Sequence, residues 1–139
     1  MPILDHTPEA AHRDERLRGD PIAWLGTVRP DGRPHLVPVW FSWDGDSLLI
    51  LSQPDTQKVR NLRHDPRVTI ALDDTRTGHD VVLFEGEAGL VSVRDESAAV
   101  AAYLSKYAEL LSEMKWRPEA YVESYSQAIV VRPTRFVVW

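Results

Sequence analysis

The sequence predicts a mainly β domain of the α+β class, in which six or seven mostly antiparallel strands close into a small barrel with helices inserted between them. From Ile22 onward, short runs of β-branched and aromatic residues alternate with turn signals, which is typical of antiparallel strands. Helix-forming runs separate some of these strands. Closure into a barrel is favoured because it removes exposed sheet edges. At 139 residues, we expect one domain over 1–139.

The first element is a short polar helix at about 8–18, within an N-terminal arm over 1–20. Thr7 supplies a hydroxyl N-cap, Pro8 suits the first helical position, and Gly19 supplies a stop. Three strands follow, at 22–28, 35–43 and 47–52, and Asp-Gly turns between them predict a three-stranded antiparallel meander. Pro38 cannot donate to a sheet ladder, so it predicts an edge or a bulge in the second strand.

In the rest of the chain, predicted helices and strands follow one another. A short helix precedes Pro66, and Gly86 and Gly89 predict a bend or bulge in a long later strand. We expect five tryptophans to lie mainly in the core, with a dimer interface or a ligand pocket as the alternatives. The remaining elements are strands at 67–73 and 80–93, helices at 96–111 and 118–126, and strands at 128–133 and 135–139.

Composition excludes several classes of protein. With 16 basic and 21 acidic residues, the formal charge is −5, which argues against a nucleic-acid partner. The absence of cysteine excludes disulfides, thiol catalysis and cysteine-ligated zinc. The charged N-terminus does not resemble a signal peptide, and no stretch approaches the roughly 18 apolar residues of a membrane span. We therefore expect a cytoplasmic protein without a membrane partner.

Familiar catalytic and metal-binding motifs do not stand out. The five histidines share no element and lack HExxH spacing, so surface or hydrogen-bonded histidines are favoured over a metal site. No serine lies in a G-x-S-x-G elbow, and the sequence has no Walker or dinucleotide glycine motif. Glu85 and Glu87 lie two apart on one strand face; solvated positions are favoured over acid–base catalysis. No catalytic side chain is therefore assigned.

The decapeptide from Ser52 to Asn61 is the strongest candidate site. Small polar residues at a strand end lead into a helix, on which Lys58 and Asn61 lie three apart on one face. Free backbone N–H groups, the helix dipole and a lysine together predict a phosphate site. A solvated basic helix face explains the same residues equally well. The neighbouring apolar segment from Val37 to Trp40 suits a flat conjugated ligand.

The order of these segments resembles the pyridoxamine 5'-phosphate oxidase-like flavin-binding split barrels. The resemblance is carried by LGTVRPDGRPHLVPVWF, LLILSQPDTQKVRNLRHDPRVTIAL and VVLFEGEA, over about 22–88. The SQPDTQK-RN segment is closest to an actinobacterial branch that uses the deazaflavin coenzyme F420. The family implies a six-stranded split barrel and a homodimer with cofactor sites at the subunit interface.

The resemblance also assigns cofactor contacts and an activity. It implies an F420-dependent oxidoreductase that transfers hydride to an unsaturated organic acceptor; the alternatives are an FMN-dependent enzyme or a carrier of flavin, deazaflavin or haem. Only Arg132 and Arg135 are basic near the chain end, which argues against pyridoxamine phosphate as substrate. The implied contacts are ring contacts from Val37, Pro38 and Val39, polar contacts from Ser52 and Gln53, and phosphate contacts from Thr56, Gln57, Lys58, Arg60 and Asn61.

Two features remain open at the level of sequence. The long tail of F420 needs a basic lining, which five arginines offer. The partner subunit normally closes the pocket in this family, and Trp139 or the region of Trp116 are the candidates here. The five arginines are Arg29, Arg33, Arg60, Arg63 and Arg67.

Overall fold

A computed structural model describes residues 7–137 and forms a curled antiparallel sheet with flanking helices. These residues contain seven strands and five α-helices, with one 3₁₀ turn at Val93–Glu96. The strands are β1 Ala23–Val28, β2 Pro34–Val39, β3 Ser42–Trp43, β4 Leu48–Ser52, β5 Arg67–Leu72, β6 Val82–Ser92 and β7 Gln127–Phe136. The helices are α1 Pro8–Gly19, α2 Gln57–His64, α3 Ser97–Lys106, α4 Ala108–Glu113 and α5 Pro118–Ser124.

Chain connectivity forces the sheet to close on itself. The strand order is β2-β1-β5-β6-β7-β4-β3, and all the strand pairs are antiparallel. β2 and β3 stand at opposite ends of that order, yet only Trp40 and Phe41 separate them in the chain. Two residues span roughly 10 Å at most, so the two ends of the sheet must meet. The predicted mainly β split-barrel class is confirmed, although the described residues form seven strands where the family resemblance implied six.

The predicted meander is wrong at its second strand. The segment 35–43 is interrupted, so that β2 pairs with β1 while β3 pairs with β4. At the interruption, the backbone N–H of Phe41 donates to the Tyr107 hydroxyl at 2.9 Å, and Lys106 Nζ donates to the Phe41 carbonyl at 2.9 Å. These side chains satisfy backbone groups that a ladder would otherwise pair. Pro38 lies on the terminal strand β2, which confirms the predicted edge position.

Two other predicted elements differ from the structure. The last two strands form one strand, β7, as far as Phe136; residues 138–139 lie outside the described residues. The helix predicted at 96–111 is divided at Tyr107, whose hydroxyl is anchored to the backbone of Phe41 and Pro21. The bulge predicted in β6 is confirmed by a register shift between Glu85 and Gly86.

Two apolar clusters hold the molecule together. One fills the inside of the curled sheet, and the other lies between the outer face of β4 and β7 and helices α3–α5. β4 contributes to both, because Leu48 and Ile50 point to the first while Leu49 and Leu51 point to the second. No helix among residues 7–137 is long and apolar enough to cross a membrane.

The tryptophans do not lie fully in the core as expected. Trp24 is 42% exposed, and Trp40, Trp43 and Trp116 are half-buried; Trp139 lies outside the described residues. Leucine, isoleucine and valine, together with Phe41 and Phe84, fill the barrel interior instead. The described tryptophans are only partly covered, which suits side chains that combine a large apolar surface with a polar group.

Candidate functional site

The N-terminus of α2 is left without a side-chain cap. Thr56 has the extended backbone of an N-cap residue, but its side chain accepts no hydrogen bond from the helix. Its hydroxyl instead lies 3.2 Å from the hydroxyl of Ser52 at the end of β4. By contrast, Thr7 caps α1 by accepting from Ala10 N at 3.1 Å. The first-turn N–H groups of α2 are therefore available to an anion.

Lys58 adds a full positive charge to this helix end. Within residues 7–137, its ammonium group makes no hydrogen bond or ion pair, and partial burial lowers its pKa. A lysine that is partly removed from water without a partner gains from binding an anion. Burial also lowers the pKa of His35, and the positive charges of Arg29 and Lys58 lower it further.

Asn61 and Gln57 fix α2 to the barrel. Asn61 is fully buried, and its Nδ2 donates to Thr27 Oγ1 on β1 at 2.9 Å. Its Oδ1 accepts from Gln57 Nε2 at 2.7 Å. The side-chain amide of Asn61 is thus engaged by the protein itself. In this arrangement Asn61 orients the helix, while Lys58 remains free to meet a ligand.

The other polar residues predicted for the site lie at the same corner of the molecule. Ser52 is 1% exposed and donates to the carbonyl of Gln53 at 2.8 Å. Gln53 is exposed, and its amide donates to Ser124 on α5 at 3.4 Å. Arg60 folds back toward the start of its own helix, where it donates to the Asp55 carbonyl and, at 3.0 Å, to Gln57 Oε1. The structure therefore brings all of them to the junction between β4 and α2.

The predicted ring-binding segment does not present one continuous surface. Val37 is half-buried against the barrel core and Val39 is 7% exposed, whereas Pro38 lies on the opposite, exposed face of β2. Strand alternation explains the difference, because neighbouring side chains point to opposite faces. Pro38 and Val39 still contribute to a common cavity at the end of the strand.

That cavity joins the two halves of the predicted site. It has a volume of about 270 Å³, and its lining includes Pro38, Val39 and Lys58. Most of its remaining wall is aromatic, and of these aromatic residues the sequence prediction included only Trp40 and the region of Trp116. The sequence does contain a signal for this wall: Tyr103 and Tyr107, and likewise Tyr121 and Tyr125, are four residues apart. This spacing places each pair on one face of a helix. The aromatic lining residues are Trp40, Tyr103, Trp116, Tyr121 and Tyr125.

The arginines considered for a cofactor tail are mostly paired with neighbouring acids. Arg33, Arg63 and Arg67 make ion pairs of 2.7–2.8 Å with Asp31, Asp55 and Asp65. These arginine side chains are exposed, and solvent weakens ion pairs formed by exposed side chains. These arginines can therefore exchange a carboxylate partner for a ligand anion at little cost in free energy. Among residues 7–137, no cluster of three or more histidine or acidic side chains is arranged to hold a metal ion.

Comparison with known families decides the relationship. The family model described as pyridoxamine 5'-phosphate oxidase matches residues 9–139, which is nearly the whole chain. The chain belongs to the pyridoxamine 5'-phosphate oxidase family. Members of this family bind flavin-type cofactors, so the resemblance predicted from the sequence is confirmed.

Solved structures with the same architecture have different described roles. One is described as an F420 reductase; it is 29% identical, with a TM-score of 0.66, over 88% of this chain and 94% of that chain. A conserved hypothetical protein from Mycobacterium tuberculosis is 25% identical, with a TM-score of 0.71, over 97% and 84% of the two chains. The haem storage protein HutZ from Vibrio cholerae is 19% identical, with a TM-score of 0.71, over 97% and 95%, which shows a shared fold.

Proposed function

We propose that this member of the pyridoxamine 5'-phosphate oxidase family is an oxidoreductase that binds F420, with FMN as the alternative cofactor. The observation that carries the proposal is the uncapped N-terminus of α2 beside the unpaired, partly buried Lys58. Both cofactors carry a phosphate, which these groups fit. F420 is preferred because the similar structure at 29% identity is described as an F420 reductase.

Each residue at the β4–α2 junction has a distinct part in this proposal. Lys58 and the first-turn N–H groups of α2 bind the phosphate, and Asn61 holds the helix that presents them. Thr56 and Gln57 stand at the phosphate, Ser52 and Gln53 lie beside the chain of the cofactor, and Arg60 shields the outer side. Val37, Pro38 and Val39 form the strand along which the ring lies. Reduced F420, when bound, supplies a hydride to an unsaturated organic acceptor.

We further propose that two copies of the chain assemble, with the cofactor site completed at their interface. Trp24 and Leu36 are 42% and 62% exposed on β1 and β2. In the strand register, Trp24 lies opposite Pro38 and Gly26 lies opposite Leu36, so all four share one outer face. Exposed apolar faces of this kind mark association surfaces, and this one adjoins the strand proposed for the ring.

The proposed phosphate site predicts that Lys58→Glu abolishes cofactor binding. The substitution replaces the cation with a carboxylate that repels the phosphate and also opposes the positive end of the helix dipole. F420 and FMN titrations of cofactor-stripped protein, followed by fluorescence, measure the loss. Arg76→Glu makes the same charge change on an exposed loop after β5, at the end of that strand away from α2, and we expect it to bind like the wild type.

The titration also separates the two cofactors and the carrier alternative. Tight F420 binding with weak FMN binding supports the F420 assignment, and the reverse preference replaces it with FMN. Undiminished binding by Lys58→Glu contradicts the phosphate site. A protein that binds either cofactor, or haem, but reduces none of a broad panel of acceptors is a carrier, and that result contradicts the proposed enzymatic role.

A further inference from the structure

His35 lies beside the helix that carries the proposed phosphate site. In the register of the first hairpin it stands opposite Thr27, whose hydroxyl accepts from Asn61 on α2 at 2.9 Å. Opposite residues of an antiparallel pair project on the same face of the sheet, so the His35 side chain is on the face that α2 covers. Val37, two residues later on β2, packs against the barrel core, which agrees with this orientation. Lys58 lies three residues before Asn61, on the neighbouring turn of α2.

One ring nitrogen of His35 is buried without a partner. Within residues 7–137, the Nδ1 atom is shielded from solvent and makes no hydrogen bond. A buried polar atom without a partner costs free energy, and such atoms are rare in folded proteins. Since each nitrogen of a neutral imidazole either donates or accepts, this atom is unsatisfied in both tautomers. A proton that it takes up and a ligand that bonds to it would together remove the cost.

Two cations lie near His35, and within residues 7–137 neither makes an ion pair. Burial is the main cause that lowers the pKa of His35, and the charges of Arg29 at the β1–β2 turn and Lys58 on α2 lower it further. Arg29 also lies near Asp31, but that carboxylate is paired with Arg33 at 2.8 Å. Burial and the two cations therefore keep His35 neutral at pH 7.

The remaining charged groups around His35 occur in pairs of opposite sign. His35 lines a groove over the outer side of β1, β2, β5 and β6, and the charged residues of that groove are Arg67, Glu85 and Glu87. Arg67 lies opposite Glu87 in the strand register, and Glu85 lies 3.9 Å from Arg135. All four are exposed, so solvent screens their effect on His35. The two unpaired cations are therefore the charges that a bound anion would offset.

We propose that His35 takes up a proton when a phosphate group binds at Lys58, so that the phosphate site binds its ligand more tightly as the pH falls. A phosphate at the N-terminus of α2 offsets the charge of Lys58, which removes a repulsion that keeps the imidazole neutral. The proton comes from solvent, and the buried Nδ1 then carries a hydrogen that an anion can accept. The inference rests on the proposed function, because it needs the phosphate site, and it adds a residue that regulates that site.

Nuclear magnetic resonance of the histidine rings tests the proton uptake directly. The ring signals of the wild type, identified by sequential assignment, are followed against pH with and without the cofactor, F420 or FMN. Without cofactor, we expect His35 to titrate at a lower pH than the exposed His64. Saturation with cofactor should raise the midpoint of His35 by about one pH unit. An unchanged His35 midpoint in cofactor-saturated protein overturns the inference.

The affinity for the cofactor measures the same coupling by a second method. A group whose pKa rises on binding strengthens binding below that pKa, by about tenfold for each unit of the rise. The ratio of the wild-type affinity to that of His35→Gln cancels any protonation of the cofactor itself. We expect this ratio to rise about tenfold as the pH falls from about 8 to about 5.

His64→Gln is the matched control for the affinity measurement. His64 is exposed at the far end of α2, so the affinity of this variant should follow that of the wild type at every pH. A ratio of wild-type to His35→Gln affinity that does not change with pH contradicts the inference. The ring titration needs only the wild type, so it decides the inference even where His35→Gln folds poorly.

Lys58→Glu separates this inference from the proposed function. We expect this variant to lose the cofactor, so that adding cofactor leaves its His35 midpoint unchanged. If Lys58→Glu binds the cofactor like the wild type, the proposed phosphate site is wrong and the inference fails with it. If Lys58→Glu loses the cofactor, but cofactor binding does not move the His35 midpoint of the wild type, the phosphate site stands and only the inference is wrong.

Discussion

At the scale of single residues, Gly86 shows how one missing side chain shapes the sheet. A Cβ atom at this position would lie 2.6 Å from the carbonyl oxygen of Arg132 and 3.3 Å from Val131 Cγ1. The first of these is a backbone atom, which cannot move aside without disturbing the β6–β7 pairing. Glycine therefore permits the close approach of two strands at the register shift.

We expect Gly86→Ala to lower the free energy of unfolding by about 1–3 kcal/mol or more, because the added methyl group forces the backbone apart. Gly89→Ala is the matched control in the same strand, since its Cβ would have no neighbour within 4 Å. Chemical denaturation measures both variants. Equal stabilities would show that the close approach at Gly86 does not constrain the sheet.

Lys106 provides a second test at this scale, through the pH dependence of stability. Its Nζ donates to the Phe41 carbonyl and lies 3.7 Å from the centroid of the Phe41 ring. Burial lowers the pKa of Lys106 to about 8, while Asp20 acts in the opposite direction. The ordinary value for an unfolded chain is about 10.4. Between these two pH values the unfolded state binds more protons than the folded state, so this residue makes stability rise with pH.

The expected result is a change in the stability difference between the wild type and Lys106→Met. As the pH is raised from 8 to about 10.4, the wild type should gain stability relative to the variant. At pH values well below 8 the difference should be constant, because Lys106 is charged in both states. Denaturation of both proteins across this range measures the effect, and a difference that does not vary with pH would contradict the lowered pKa.

At the scale of elements, α2 depends on contacts with the barrel, including one buried hydrogen bond, to keep its N-terminus in place. The helix has eight residues, too few to be stable alone in water, and it is anchored by the burial of Val59 and Leu62 and by the Asn61–Thr27 contact. The contacts that hold α2 against the barrel, rather than the intrinsic stability of the helix, therefore determine the geometry of the proposed phosphate site.

Thr27→Val should weaken both stability and cofactor binding. The substitution preserves shape but leaves the buried Nδ2 of Asn61 without its acceptor, which costs about 1–3 kcal/mol. Thr69→Val is the matched control, because Thr69 is exposed on the neighbouring strand β5 and its side chain makes no hydrogen bond in the described structure. Denaturation and F420 titration provide the two measurements. A wild-type affinity in a destabilised Thr27→Val protein would separate the anchor from the binding site.

At the scale of the whole molecule, the curled sheet leaves one apolar outer face without a cover. Leu36→Asp places a charge at the centre of the face that we propose joins two copies. We expect the mass measured by light scattering after size-exclusion chromatography to fall from dimer to monomer. Leu110→Asp, at a position 37% exposed on α4, should remain dimeric. A monomeric wild type, or a dimeric Leu36→Asp protein, would refute this interface.

Local patterns were sufficient to predict most elements and the place of the candidate site. Turn signals marked the strand boundaries, Pro38 marked an edge, and Gly86 marked an irregularity, because each depends on backbone constraints within a few residues. The SQPDTQK segment likewise placed small polar residues before a short helix that carries a lysine. The availability of its N–H groups was a local prediction, although the reason for it is the contact of Thr56 with Ser52.

Only the tertiary structure decided features that depend on distant partners. The second strand divides at Phe41 because Lys106 and Tyr107, more than 60 positions later, bond to its backbone. Asn61 shares the predicted helix with Lys58, but Thr27 engages its side chain while Lys58 is left unpaired. The alternation of apolar and polar residues and the chemistry of turns depend on neighbouring residues, so they can be predicted from the sequence. The partners of buried polar groups, and the set of aromatic rings that line the cavity, depend on contacts that form only when the sheet closes.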